Sequence, residues 1–273
     1  MLTTLLAARL RHGDVISPDR IASVIQRNVG VLRSGPPYYL MVVSGFFEPL
    51  LYLLSIGVGV GALIGDLTLP DGRTLSYERF VAPAMLAVSA MSGALAETTF
   101  TFFFKLKYLK TFEAVLATPV RPLEIAAGEL IWAVLRCSLY TGAFLAVMVA
   151  LDLTTAGRAL AAFPATLLVG IAFGAVGMAV STLLRGWQDF DLLTTGQFAL
   201  FLFSGTFSPI QDYPPLIRLL IDLTPLYHAV ELVRGLTTGP LSWDLFGHGA
   251  YLTAMTGAAL LVAGRRLSKA LCD

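Results

Sequence analysis

Three ionisable residues, Glu48, Glu97 and Arg136, fall inside runs that are otherwise apolar. A charge placed in hydrocarbon costs roughly 2.5–3.5 kcal/mol on insertion scales, so such residues face protein or water and pair with one another. Each lies about ten residues or fewer from the same end of its own run, which at about 1.5 Å per residue puts all three within about 15 Å of one face. The spacing therefore predicts that Arg136 pairs with one or both glutamates near one mouth of a helix bundle, with Glu48-Pro49 kinking its helix at that level. A pair that fixes helix register and a charge that lines a substrate route or transmits motion both fit this placement. His12, His228 and His248 are not at metal-ligand spacing. The sequence has no HExxH, no GxSxG and no GxxxxGK followed by Ser or Thr, so it offers no catalytic set, no metal site and no usual route to ATP hydrolysis. Nothing in it points to nucleic acid. Cys137 and Cys272 make no disulfide framework.

The elements that must position these charges are set by composition. Of 273 residues, 56% are hydrophobic and 14% charged, and the mean hydropathy is +0.75. Soluble domains average about 45–50% apolar and about 25% charged residues. The excess is spread along the chain, which reads as an all-α polytopic membrane protein forming a single transmembrane domain over 1–273. Every stretch between apolar runs is shorter than the roughly 50-residue minimum of a soluble domain. The opening MLTTLLAARLRHGD lacks the basic, apolar, small-residue order of a cleaved signal peptide. Six segments reach the length of about 20 residues that a spanning helix needs: 38–64, 80–104, 126–150, 160–184, 191–209 and 245–263. An even number puts both termini on one side. With the termini inside, residues 1–37 contribute Arg9, Arg11, Arg20, Arg27 and Arg33, and the other inner loops Lys105, Lys107, Lys110, Arg121, Arg185, Arg265, Arg266 and Lys269. The outer side holds only Arg73, Arg79, Arg158, Arg218 and Arg234. The positive-inside rule then makes both ends cytoplasmic.

Three connecting features stand out. Residues 1–37 carry an apolar stripe of Ile21, Val24, Ile25, Val29 and Leu32 after a Ser17-Pro18 start, which predicts an amphipathic helix at the cytoplasmic surface. Residues 104–129 form a polar island whose Leu106, Leu109, Phe112 and Leu116 share a helical face. Thr118-Pro119 stops that helix, Pro122 suits the first turn of the next, and Glu124 complements its positive end. The result is an elbow of two helical pieces between spans 2 and 3, either a shaped contact surface or an ordinary solvated loop. Residues 210–244 hold two short apolar helices after Pro214-Pro215 and Thr224-Pro225, with Thr224 as a cap and Gly235 at the second helix's end. They read as outer interfacial or re-entrant pieces, carrying Tyr227, His228, Glu231 and Arg234. Gly57, Gly61 and Gly65 in span 1, and Gly170 and Gly174 in span 4, recur at four-residue intervals that let helices approach closely.

The ordered set FFEPLLYLLSIGVGVG, FVAPAMLAVSAMSGALAETTF, LKYLKTFEAVLATPVRPLEIAAGE and FSGTFSPIQDYPPLIRLLIDLTPLYHAVELVRG resembles the type-2 ABC exporter permeases. The likeness is greatest to the branch containing nodulation-factor and daunorubicin exporter permeases. Residues up to about Asp19 have no counterpart in it. The resemblance implies a permease in the bacterial cytoplasmic membrane, moving an amphipathic cargo such as a drug or a lipid-linked or oligosaccharide-like molecule. It implies a second permease copy or paralogue, membrane lipid around the pair, and two ATP-binding subunits that hold the ATP and Mg. It assigns ATPase contact to the elbow, through Lys107, Lys110, Thr111, Phe112, Glu113 and Ala114, with Thr118 and Pro119 shaping it and Arg27 supporting it from the leader helix. Glu97 becomes the intramembrane acid near that mouth, and the 225–235 segment a cap over the exit. A secondary transporter would show repeated halves and midplane acids, which this chain lacks; a membrane scaffold without ATPase coupling shares many of the same features.

Overall fold

A computed structural model describes residues 17–34, 47, 49–68 and 72–272. Helix α1 spans Pro18–Ser34. A π-helical stretch, Leu53–Val60, runs into α2, Gly61–Ile64. Next comes a two-stranded ribbon that the sequence pattern does not signal: β1 (Asp66–Thr68) pairs antiparallel with β2 (Thr74–Ser76), Leu67 opposite Leu75. The rest is helical: α3 (Tyr77–Leu95), a π-helical turn (Ala96–Thr101), α4 (Phe102–Lys107), α5 (Thr111–Leu116), α6 (Pro122–Ala150), α7 (Ala156–Ser181), α8 (Gln188–Leu202), α9 (Pro215–Asp222), α10 (Pro225–Thr237) and α11 (Asp244–Cys272).

Among the described residues, four helices are long and apolar enough to cross a bilayer: Tyr77–Lys107, Pro122–Ala150, Ala156–Ser181 and Asp244–Leu267. They correspond to the expected spans 2, 3, 4 and 6. The expected span 1 lies partly outside the described residues. The expected span 5 is shorter than its hydropathy suggests, because α8 stops at Leu202 instead of 209. Gly205, at φ +68°, and Pro209 hold the following residues in a non-helical turn.

The first of these spans is the axis of the molecule. Its face is built from small and medium side chains, and Val81, Ala82, Ala84, Met85, Leu86, Ala87, Ala90, Met91 and Ala94 are all fully buried. A helix apolar all round is one that other helices surround, and α3 is packed by α6, α7, α10 and the 53–60 stretch. A second core joins Phe102 and Phe112 to Ile125, Leu130, Met178, Ala263 and Leu267 at the elbow end.

Several expectations about local structure change. The 106–116 stripe does not form one helix. Lys110 adopts a left-handed backbone (φ 49°), which separates α4 from α5 and leaves Leu109 61% exposed while Phe112 is fully buried. Gly235 does not end α10, which continues to Thr237; its missing side chain instead admits Leu245. Gly57 and Gly61 do lie against Glu78 and Tyr77 at the start of α3, but Gly65 has open space around it and a φ of +73°, so it serves the turn into β1 and not helix packing. In α7, a Cβ on Gly170 would sit 2.9 Å from Cys137 Sγ, and one on Gly174 2.9 Å from Leu130 Cδ1. Both glycines therefore set the approach of α7 to α6 within the chain.

Candidate functional site

The elbow has an exposed side and an anchored side. On the exposed side, the Lys110 and Glu113 side chains pair at 3.3 Å while remaining 66% and 60% accessible. Lys107, Ala114, Thr118 and Pro119 are exposed beside them and Thr111 is half-buried. Thr118 donates its hydroxyl to the Val115 carbonyl at 2.6 Å, tightening the end of α5 before Pro119. On the anchored side, the Phe112 ring lies 4.9 Å from Phe102. Phe112 is thus the elbow's anchor; full burial removes it from any contact surface.

The leader helix clamps the same elbow. Its apolar stripe does not face lipid alone, since Val24 is buried against Gly128, where a Cβ would come within 2.7 Å of Val24 Cγ1. The Ser17 amide donates to Glu124 Oε1 at 3.0 Å, and Arg20 donates to the Pro119 carbonyl at 2.9 Å. Glu124, fully buried, also accepts the Arg121 amide at 2.9 Å. It therefore caps α6 and receives the start of α1 at once. One turn and a half further on, Glu129 gathers three donors: Arg27 Nη2 at 2.6 Å, Asn28 Nδ2 at 3.1 Å and Lys105 Nζ at 2.7 Å. Lys105 also donates to Asn28 Oδ1 at 3.1 Å. A buried carboxylate with this many charge-assisted partners is fully compensated. Glu129 and Asn28 escape the sequence reading, although Glu129 lies seven residues before Arg136 on one helix face.

Deeper along the same helices, the Arg136 guanidinium pairs with Glu97 and donates to the Tyr140 hydroxyl at 2.6 Å. Glu97 sits inside the π-helical turn of 96–101. Thr98 and Thr99 bond back to the Ala94 and Leu95 carbonyls at 2.8 and 2.5 Å, in a stretch where the ladder is already widened. Glu48, the other acid expected here, lies outside the described residues. A half-exposed aromatic cluster that sequence spacing does not reveal surrounds the same end, where Trp187 lies 5.6 Å from Phe100, 5.7 Å from Tyr108 and 5.9 Å from Phe190.

At the opposite end of the bundle, the four residues expected on the outer helices come together. Arg234 pairs with Glu231, donates to the Gly205 carbonyl at 2.9 Å and lies 4.0 Å over the Phe80 ring. His228 and His248, distant in sequence, meet Nδ1 to Nδ1 at 2.8 Å, and His228 stacks on Tyr251 at 3.9 Å. Burial, followed by the His248 charge, holds the His228 pKa below its ordinary value. Burial and then Glu231 push the Tyr227 phenol up to about 12, keeping it a neutral donor.

The ABC-2 type transporter family model matches residues 21–237, from α1 through α10. The chain belongs to that family. As an ABC-2 permease it is similar to nodulation protein J of Rhizobium leguminosarum bv. trifolii, at 32% identity over 202 residues, covering 74% of this chain and 75% of that protein. Nodulation protein J of Neorhizobium galegae is 29% identical over 255 residues, 90% of this chain and 94% of that one. A probable multidrug ABC transporter permease of Escherichia coli K12 is 24% identical over 199 residues, 70% of this chain and 54% of that one. The family makes this chain a transmembrane transport subunit, and the family match takes in the elbow, the Glu129 clamp, the Arg136–Glu97 pair and helices α9 and α10.

Proposed function

We propose that this ABC-2 permease is the membrane subunit of an ATP-driven exporter in a bacterial cytoplasmic membrane. In this reading the chain is one transmembrane domain over 1–273, with six spans and both termini cytoplasmic. It pairs with a second permease, identical or paralogous, and with two ATP-binding subunits that carry the ATP and Mg. The observation that carries the reading is the two-sided elbow, with Lys107, Lys110 and Glu113 presented outward and Thr111 half-buried beside them, while Phe112, Glu124 and Glu129 fasten the same piece to α1, α4 and α6. A push on α5 from a partner would move α6 as a rigid lever, because packed elements shift as bodies and do not deform continuously.

The Arg136–Glu97 pair lies on that lever and would carry the shift to the span at the molecule's axis. The cargo in this reading is amphipathic. An apolar cleft of about 460 Å³, lined by Leu95, Phe173, Val176, Leu192, Leu193 and Met255, supports it, and cavities of roughly 300–1,000 Å³ with apolar walls suit small ligands. The similarity to a probable multidrug permease fits a drug-like cargo.

A photo-crosslinker placed at Lys110 or Glu113 in native membranes tests the coupling surface. Capture of an ATP-binding subunit, identified by mass and, with the crosslinker at Glu113, lost on Lys107→Glu with Lys110→Glu, is the expected result. Capture of a different membrane protein, or of nothing by a folded permease, would favour a scaffold or a secondary transporter instead.

A further inference from the structure

The apolar cleft of about 460 Å³ between α7 and α8 carries a single ionisable residue among those that line it, Asp189. The two neutral polar side chains on its walls are spent on the protein itself. Gln197 Nε2 donates to Ser92 Oγ at 2.9 Å, and the Thr99 hydroxyl donates to the Leu95 carbonyl at 2.5 Å. Asp189, half-buried in the first turn of α8, is different. It accepts the Arg185 amide at 2.6 Å through one oxygen. Among the described residues its carboxylate makes no ion pair, with the Arg185 guanidinium or with any other cation. The Arg185 contact fastens the turn before α8, a role that asparagine fills equally because its Oδ1 accepts the same amide. A carboxylate is therefore not required there to hold the fold.

Position and charge together narrow the occupant. On α8 the lining runs from Asp189 to Leu200, about 16 Å of helix, so the charge stands at one end of that stretch and the remainder is apolar. An unpaired carboxylate beside apolar walls attracts an opposite charge more strongly than it would in open water. A neutral ligand gains only apolar contact in this cleft, and an anion is repelled. We propose that the cleft binds a lipophilic organic cation, its apolar body along α7 and α8 and its positive charge against Asp189. The proposal names the class of cargo and rests on the preceding section's assignment of this cleft to cargo, but not on ATPase coupling.

The test is equilibrium dialysis of radiolabelled tetraphenylphosphonium against the purified full-length permease in detergent, with protein-free micelles as the blank. Triphenylphosphine oxide, a neutral compound with a similar aryl surface, is measured in parallel. Saturable binding of the cation, about tenfold tighter than that of the neutral compound, is the expected result, since one interaction with a charged group is worth about that factor. Asp189→Asn should remove the difference by weakening the cation and leaving the neutral compound unchanged. Gly196→Leu should weaken both: Gly196 lines the cleft, and a Cβ added there meets nothing within 4 Å, so the new side chain takes up cleft space without displacing the fold. No saturable binding by a folded permease, equal affinity for the two compounds, or a difference that survives Asp189→Asn would overturn the proposal. Cation affinity unchanged by Gly196→Leu would put the ligand elsewhere and overturn it too. None of these measurements needs an ATP-binding partner, so crosslinking failure at the elbow and binding failure at this cleft are separate outcomes.

Discussion

Arg136 and Glu97 form a nearly dry ion pair with a tyrosine hydroxyl as third member. Breaking such a pair from one side leaves an uncompensated charge and costs about 3–5 kcal/mol, whereas replacing both partners by apolar groups is often neutral or stabilising. Arg136→Met should therefore destabilise the folded permease by about that amount, and Arg136→Met with Glu97→Leu should recover most of it. Thermal unfolding in detergent checks the stability half of the cycle. Transport in the double variant separates the two roles left open by the sequence. If stability returns and transport does not, the charges act in the transport cycle; full recovery of both reduces the pair to a register lock.

At the scale of elements, the decisive join is α1 on α6. A leader helix with a modest apolar stripe would float at a membrane surface on its own, but here Val24 fills the space over Gly128 and Glu129 holds Arg27, Asn28 and Lys105. Gly128→Leu should lift α1 from its seat, because a rotamer change in Val24 can move its Cγ1 but not its Cβ, which lies 2.8 Å from where the new side chain starts. Overpacking of this kind costs about 1–3 kcal/mol. Hydrogen exchange reads it directly: amides of 18–34 should lose protection while those of α3, packed elsewhere, keep theirs. Unchanged protection in α1 would mean that the clamp is not what holds the leader helix. The same lift should weaken partner capture at Lys110, since a loosened elbow no longer presents one surface.

Across the whole molecule, the two ends are built differently. The elbow end is held by ion pairs between elements far apart in the chain, the other end by a buried arginine and a pair of facing imidazoles. The imidazole pair makes global stability sensitive to pH. A single proton between two Nδ1 atoms 2.8 Å apart supports a hydrogen bond, and two do not. Burial and His248 lower the His228 pKa, against a smaller opposing effect from Asp222, so the unfolded chain binds more protons below the ordinary value of 6.5. Stability from this group is complete above that value and is lost as pH falls from it through the depressed pKa of the folded state. Thermal midpoints should drop on acidification below about 6.5, the unperturbed histidine value, and the drop should be smaller in His228→Gln. Parallel curves for the two proteins would show that the pair does not couple α10 to α11.

Much of this was legible in the chain itself. Hydropathy over about 20 residues marks a spanning helix because the backbone must satisfy its own hydrogen bonds in lipid, and four of the expected spans stand with boundaries shifted by a few residues. Local chemistry was equally direct: Pro122 begins α6, and Thr224 caps α10 by accepting the Tyr227 amide at 3.3 Å. The family was readable because ordered motifs survive over most of the chain. Tertiary structure alone decided what depends on partners distant in sequence. Periodicity placed Phe112 and Leu109 on one face, but a left-handed Lys110 turned one into the core and the other to solvent. Glu129 is an unremarked acid until Arg27 and Asn28 arrive from about a hundred residues away, and His228 meets His248 only because α10 folds back on α11. Sequence spacing encodes each helix's own faces, whereas which faces meet is settled by the packing of all the helices together.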